Sequence, residues 1–348
     1  MATPVKVLIV DDSALVRSLL TEILNSDPRL TVVGAAHDPF EARELIKQLR
    51  PDVLTLDIEM PKMNGIAFLK NLMRLRPMPV VMISTLTHAG APETLEALAI
   101  GAVDFMPKPK DQGAAGLSQY RDVIISKVCC AAGANIQALD IGKTKEHTTA
   151  RVASGKQLKR NFICSIGAST GGTEAIKDVL MGLPKQCPPI VIAQHIPAAF
   201  STSFAERLNN NAAIEVCEAK DGQPIQAGCA YLAPGDKHLK IARSSYGYSC
   251  VLDDGPNVNR HKPSVEVLFD SVMNVARKNA MAVMLTGMGA DGSHKLLELK
   301  QAGCTTVCQD QASSVVWGMP GVAVDIGAAD HVLPLGRIAD MIMRESYG

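Results

Sequence analysis

Aromatic residues are scarce in this chain of 348, at 4% with one tryptophan, and 35 basic against 35 acidic residues leave no formal net charge. A nucleic-acid binder needs a basic face or aromatic stacking platforms, and this composition supplies neither. Nine cysteines are present, an odd number without any C-x-x-C spacing, so neither a zinc ribbon nor a disulfide framework is indicated. No apolar run approaches the roughly 18 residues that a transmembrane helix needs. The segment Met1–Asp12 lacks a basic stretch followed by a long apolar one and reads as a strand, not a signal peptide. These absences lead to the expectation of a reduced, cytoplasmic protein that binds no nucleic acid.

Hydrophobic residues, by contrast, make up 47% of the chain, and its length suits two domains. Up to about residue 131, apolar runs alternate with amphipathic stretches: Val5–Val10 then Ala14–Leu24, Thr31–Ala36 then Glu41–Leu49, Val53–Ile58 then Ile66–Leu75. Val80–Ser84 with Pro92–Ile100, and Val103–Met106 with Tyr120–Val128, continue the series. Such alternation predicts a doubly wound parallel sheet with helices on both faces. Residues 132–158 are small and charged without an apolar period, the composition of a linker. Alternation resumes over 159–348, with Phe162–Ile166, Ile190–Ala193 and Ala282–Leu285 as buried strands. Turn signals at Gly222, Gly228, Pro234-Gly235 and Asp254-Gly255 predict a β-rich insertion of short antiparallel strands between about 214 and 254.

Asp11 and Asp12 end the first predicted strand, Asp57 the third and Ser84 the fourth, and Lys108 follows the fifth. In a parallel sheet all strand C-termini open on one edge, so these residues converge. Carboxylates so close repel one another unless a hard divalent cation such as Mg²⁺ sits among them, and an aspartate beside metal and lysine can accept a phosphoryl group. A single Asp at a strand end is ordinarily a turn or helix cap; the full set is harder to explain that way. Together with Leu56-Asp57-Ile58-Glu59-Met60-Pro61-Lys62-Met63-Asn64-Gly65, it resembles the response-regulator receiver family across residues 5 to 131. That resemblance implies a flavodoxin-like fold, phosphorylation of Asp57 by a sensor histidine kinase, and Mg²⁺ held by Asp11, Asp12, Asp57 and the Glu59 carbonyl. It also implies a switch formed by Ser84, Phe105 and Lys108.

Gly167-Ala168-Ser169-Thr170-Gly171 fits the G-x-S-x-G nucleophile turn between a strand and a predicted helix, Thr173–Met181. The competing explanation is a glycine-rich turn in which Ser169 caps the helix. His195 ends the next predicted strand and Asp291 follows the strand Ala282–Leu285, so base and orienter for Ser169 would come from matching strand ends. The order Ser, His, Asp differs from chymotrypsin, subtilisin and α/β-hydrolases. His238 and His261 compete as bases, while His294 lies too near Asp291 in sequence to face it easily. Gly287-x-Gly289-x-x-Gly292 with Asp310 also satisfies a dinucleotide fingerprint by spacing, though only 38 residues follow Asp310. A phosphorylation-dependent binding module without catalysis is the remaining alternative.

Gly167–Gly172, Gln194-His195-Ile196-Pro197, Ala233–His238, Pro263-Ser264-Val265 and Thr286–Gly292 together resemble the catalytic domain of chemotaxis protein-glutamate methylesterases, over about residues 160 to 345. The receiver-first domain order strengthens the resemblance. It implies an α/β esterase domain acting on γ-glutamyl methyl esters of methyl-accepting chemoreceptors, with deamidation of receptor glutamines and no cofactor for the ester step. It carries over Ser169, His195 and Asp291 as the triad and the Met288 backbone N–H as oxyanion donor. The fusion suggests that phosphorylation of Asp57 controls Ser169.

Overall fold

The computed structural model describes residues 3–61, 63–85, 90–108, 121–138, 157–245 and 247–348. The chain divides into two compact units, Met1–Lys143 and Thr144–Gly348. Most of the expected linker, residues 139–156, lies outside the described residues.

The first unit runs β1 (Val5–Val10), α1 (Ala14–Asn25), β2 (Leu30–Ala36), α2 (Pro39–Leu49), β3 (Val53–Asp57), α3 (Gly65–Leu75), β4 (Val80–Thr85), α4 (Ala91–Ile100), β5 (Asp104–Lys108) and α5 (Arg121–Ala132). Its strands pair in parallel in the order β2-β1-β3-β4-β5. That order reverses direction between β1 and β3, a switch point of the kind at which open α/β sheets hold ligands. Val7–Val10, Val53, Leu54, Leu56 and Val80–Ile83 are buried, as expected of strands covered on both faces. Helix α2 begins two residues earlier than its apolar period suggests. Asp38 caps it by accepting from the Phe40 and Glu41 N–H groups at 3.0 and 2.9 Å, with Pro39 preset for the first turn.

The second unit runs β6 (Ile163–Ala168), α6 (Gly172–Met181), β7 (Ile190–Gln194), α7 (Ala198–Asn211), β8 (Glu215–Glu218), β9 (Pro224–Ile225), β10 (Cys229–Leu232), β11 (His238–Ser244) and β12 (Gly247–Asp253). It continues through α8 (Val265–Val275), β13 (Ala280–Met284), α9 (Ser293–Gln301), β14 (Thr305–Gln309), α10 (Met319–Asp325), β15 (His331–Leu333) and α11 (Ile338–Ser346). Seven strands form a parallel sheet in the order β15-β14-β13-β6-β7-β10-β8. The chain leaves β6 first toward β7 and later returns to β13 on its other side, which makes the C-terminal end of β6 the switch point.

The β-rich insertion differs from expectation in part. Only β9, β11 and β12 pair antiparallel, whereas β8 and β10 extend the main sheet in parallel beyond β7. Turn residues mark where a chain reverses but carry no information about which strand it next pairs with. Ala230, Tyr231 and Leu232 of β10 are buried, and continuing the large sheet is what buries them. Helix α8 presents Leu268, Phe269 and Val272 to a core shared with Leu239 and Ile241 of β11 and with Ala282 and Met284 of β13. The start of α8 is thereby held beside the C-terminal edge of β13.

Candidate active site

At the C-terminal edge of the first sheet, the ligand oxygens of Asp11, Asp12 and Asp57 all lie within 4.8 Å of one another. Lys108 Nζ sits 2.9 Å from Asp11 Oδ2 and 2.8 Å from Asp57 Oδ2. Asp11 and Asp57 are buried and Asp12 is exposed. Burial, reinforced by the charges of Asp11 and Asp12, pushes the Asp57 carboxyl up to about 6 against the opposing pull of Lys108. Burial alone would depress the Lys108 ammonium, but its two carboxylate partners outweigh that and raise it. Three oxygen donors with one side open to solvent suit a hard divalent cation of the Mg²⁺ class.

Two supports of this cluster escaped the sequence reading. Arg17 Nη1 donates to the backbone carbonyls of Asp11 and Asp12 at 2.7 and 3.0 Å, steadying the loop after β1. Gly65 packs so closely that a Cβ there would stand 2.0 Å from the Asp57 carbonyl oxygen. Glu59 has an exposed side chain two residues beyond Asp57. Phe105 is buried beside Lys127, whose Nζ lies 5.7 Å from the ring centroid, and it is in register with Met82. Ser84 belongs to β4 in register with Pro107, but its side chain lies outside the described residues.

In the second unit, Ser169 stands in the turn after β6. Its N–H donates to the Thr286 carbonyl at 3.0 Å, and the chain turns at Gly171, φ 77°, to enter α6. The residue capping α6 is Gly171, and Ser169 instead directs its hydroxyl to His195, with Oγ 3.1 Å from Nδ1. His195 Nε2 lies 2.9 Å from Asp291 Oδ2. The three expected residues therefore form one continuous hydrogen-bonded chain.

Asp291 is heavily supported. It accepts from Ser264 Oγ at 2.9 Å, from the Val265 N–H at 2.7 Å and from Asn259 Nδ2 at 2.8 Å. Burial opposes its ionisation, but the hydrogen bond and charge of His195, with Asn259 and the Val265 N–H, bring its carboxyl down to about 2. The carboxylate also sits at the N-terminus of α8, where the helix dipole favours negative charge. An ionised Asp291 accepts the Nε2 proton and leaves the Nδ1 lone pair facing the Ser169 hydroxyl.

The rival histidines are placed differently. His238 is buried with Nδ1 accepting from the Ser264 N–H at 3.1 Å and Nε2 donating to the Pro256 carbonyl at 3.0 Å. Both its nitrogens are thus committed. His261 stacks face to face on His195, and His294 is exposed.

Close packing explains Gly287 and Gly292, and a left-handed φ of 86° explains Gly289. A Cβ at Gly287 would lie 2.8 Å from Ser169 Cβ, and the Gly287 carbonyl accepts from the Gly318 and Met319 N–H groups at 3.1 and 2.8 Å. Asp310 Oδ1 accepts from the Ser313 N–H at 2.9 Å and closes a turn. Met288 is the residue that follows Gly287 in this loop. Thr286 secures the loop: its N–H donates to Gln309 Oε1 at 2.8 Å and its hydroxyl to the Thr170 carbonyl at 3.0 Å.

Gln194, singled out by the sequence only as the neighbour of His195, proves to be a clamp. Its buried Nε2 donates to the carbonyls of Ser169 at 2.9 Å and His195 at 3.2 Å, tying the two turns together. A Cβ on Gly172 would come within 2.1 Å of its Oε1, so the glycine there makes room for the clamp.

Comparison with known proteins covers both units. The family model "CheB methylesterase" matches residues 164–342, and "Response regulator receiver domain" matches residues 7–115. A protein-glutamate methylesterase/protein-glutamine glutaminase 2 of Saccharophagus degradans is 62% identical over 99% of both chains. A protein-glutamate methylesterase/protein-glutamine glutaminase 1 of Xanthomonas campestris pv. campestris is 54% identical, covering 99% of this chain and 98% of that one. Among solved structures, the CheB methylesterase catalytic domain of Thermotoga maritima matches with a TM-score of 0.51 and 36% identity, covering 55% of this chain and 99% of that one. No helix among the described residues is long and apolar enough to cross a membrane.

Proposed function

The chain belongs to the CheB methylesterase family, with a response regulator receiver domain preceding the esterase, and from that premise we propose that it hydrolyses glutamate γ-methyl esters on methyl-accepting chemoreceptors under phosphorylation control. Residues 1–131 are read as the receiver, 132–158 as linker and 159–348 as the esterase, in a cytoplasmic enzyme. The observation that carries the reading is the unbroken chain Ser169 Oγ, His195, Asp291 at distances of 3.1 and 2.9 Å.

In this mechanism Nδ1 of His195 takes the Ser169 proton as Oγ attacks the ester carbonyl carbon. Asp291 holds the proton-bearing Nε2 and stabilises the imidazolium that forms. The Met288 N–H donates to the oxyanion, and the tetrahedral intermediate collapses as His195 returns the proton to the departing methoxide, releasing methanol. Water, deprotonated by His195, then attacks the acyl-enzyme carbonyl; the C–Oγ bond breaks as His195 passes that proton to Ser169, and the glutamic acid set free gives its remaining proton to solvent, leaving a carboxylate. A glutamine side chain follows the same route with ammonia as leaving group.

In the receiver, Asp57 accepts a phosphoryl group from a sensor histidine kinase, with Lys108 beside it to balance the added charge. Asp11, Asp12 and Asp57, with the Glu59 carbonyl, would hold Mg²⁺, which when bound neutralises developing phosphoryl charge. Ser84 and Phe105 relay the phosphorylated state. Activation is a shift between two populations of the enzyme biased by Asp57 phosphorylation.

The test is methanol release from methylated receptor, with and without a small-molecule phosphodonor, for wild type, Ser169→Ala and Asp57→Asn. Wild type is expected to accelerate with the phosphodonor, Asp57→Asn to remain at its basal rate and Ser169→Ala to release no methanol. Wild-type turnover by Ser169→Ala would overturn the esterase assignment, and a wild-type rate indifferent to phosphodonor would overturn the control.

A further inference from the structure

The four residues Val258–His261 form a tight reverse turn outside any regular element. The Val258 N–H donates to the His261 carbonyl at 3.0 Å and the His261 N–H to the Val258 carbonyl at 2.9 Å. Both central residues are left-handed, Asn259 at φ 51° and Arg260 at φ 70°. Positive φ at both centres characterises the two-residue hairpin turn whose twist closes antiparallel backbone most tightly. Neither residue is a glycine, so the conformation is maintained against local steric preference.

This turn reaches the triad at two points. From one side, Asn259 Nδ2 donates to Asp291 Oδ1 at 2.8 Å and to Glu266 Oε2 at 2.8 Å. From the other, the His261 ring lies on the His195 ring with centroids 3.7 Å apart and planes inclined by 10°. The contacts of His195 with Ser169 and Asp291 run through its ring edge and fix it within its own plane. They do little against tilting about that edge, and the outer histidine torsion is intrinsically broad. A flat ring against the face supplies the missing restraint.

We propose that the Val258–His261 turn is a positioning element for the triad, in which His261 fixes the plane of the His195 ring by stacking while Asn259 fixes Asp291. His261 is not a proton carrier in this arrangement. Imidazole lone pairs and N–H bonds lie in the ring plane, so two rings stacked face to face exchange no proton through that contact. The inference rests on the esterase reading above, with Ser169 as nucleophile and His195 as base.

The test uses the full-length enzyme on methylated receptor and compares His261→Ala with His261→Phe, with Ser169→Ala alongside. Loss of the flat ring in His261→Ala is expected to lower kcat by about 10- to 100-fold with KM nearly unchanged, as for a misplaced catalytic group. His261→Phe, which keeps a flat ring but no nitrogen, is expected to recover to within about 3-fold of wild type, on the same reasoning. The rate at which Ser169 is labelled by an organophosphonate should follow the same order, and it provides a second readout if turnover by one variant is too slow to measure. A fully active His261→Ala, or a His261→Phe as impaired as His261→Ala in both assays, would overturn the proposal. Full turnover by Ser169→Ala would instead remove the esterase reading on which it rests.

Discussion

Asp291 meets His195 at Nε2, 2.9 Å away, and the nitrogen turned toward Ser169 is therefore Nδ1. The carboxylate is held by the Ser264 hydroxyl, the Val265 N–H and the Asn259 amide, so its position is set by the start of α8 and by the turn that precedes it. Replacing it with asparagine keeps the shape but puts an amide where an anion balances the imidazolium. Asp291→Asn is expected to reduce kcat for methanol release by about 100- to 10,000-fold, the range that loss of an orienting aspartate produces. A kcat within a few-fold of wild type would show that His195 needs no anionic partner.

The same carboxylate carries a pH signature. With its carboxyl held down at about 2, well below the usual carboxylate value, Asp291 stabilises the fold whenever it is ionised. The sign follows from linkage: the contribution is fully present above the unfolded value, near 4, and is lost as pH falls toward 2. Its size is on the order of 2 kcal/mol. Chemical denaturation of wild type and Asp291→Asn should therefore show a stability difference that shrinks as pH falls between 4 and 2. A difference that stays constant down to pH 2 would contradict the assignment.

Gln194 and Gly172 should behave as one unit. Gln194→Leu removes the amide that joins the Ser169 and His195 carbonyls, leaving the Ser169 carbonyl with the Gly172 N–H alone, which costs about 1–2 kcal/mol and loosens the nucleophile turn. Gly172→Ala drives a methyl into the same amide oxygen, displacing the clamp by a different route. Thermal unfolding and methanol release of both single variants and the double variant make the test. The double variant is expected to lose less than the sum of the single losses, and strict additivity would show that the two residues act separately.

The strain in the Val258–His261 turn is testable through stability. Arg260 is exposed and left-handed, so Arg260→Gly is expected to raise stability by about 0.5–1 kcal/mol with activity retained. Arg260→Val, β-branched at the same φ, should lose about 1–2 kcal/mol and also kcat as the turn opens. Equal unfolding midpoints for all three proteins would show that the turn stores no strain.

In the receiver, the crowding of Asp11, Asp12 and Asp57 predicts a cation response. Mg²⁺ added to EDTA-treated protein is expected to raise the unfolding temperature of the first unit, with a much smaller rise in Asp57→Asn. That variant should start from a higher temperature in EDTA, because one buried like charge has been removed. An identical Mg²⁺ response in both proteins would rule out Asp57 as part of the cation site.

Several of these features were legible in the sequence because they are local. Alternating apolar and amphipathic stretches specify strand and helix, and parallel strands bring their C-terminal ends to one edge. Hence Asp11, Asp57 and Lys108, and likewise Ser169, His195 and Asp291, could be named from their places at strand ends before any distance was known. What required the tertiary structure depends on contacts between distant segments. Strand order made β8 and β10 parallel members of the main sheet, since turn residues do not encode a pairing partner. Packing committed both nitrogens of His238 elsewhere and laid His261 flat on His195, although their sequence neighbourhoods had left the choice of base open. Asn259, Ser264 and Gln194 acquire their roles only through hydrogen bonds to residues 25 to 32 positions away. A side chain's own periodicity records which face it occupies, but the atoms it meets there are decided when the elements pack.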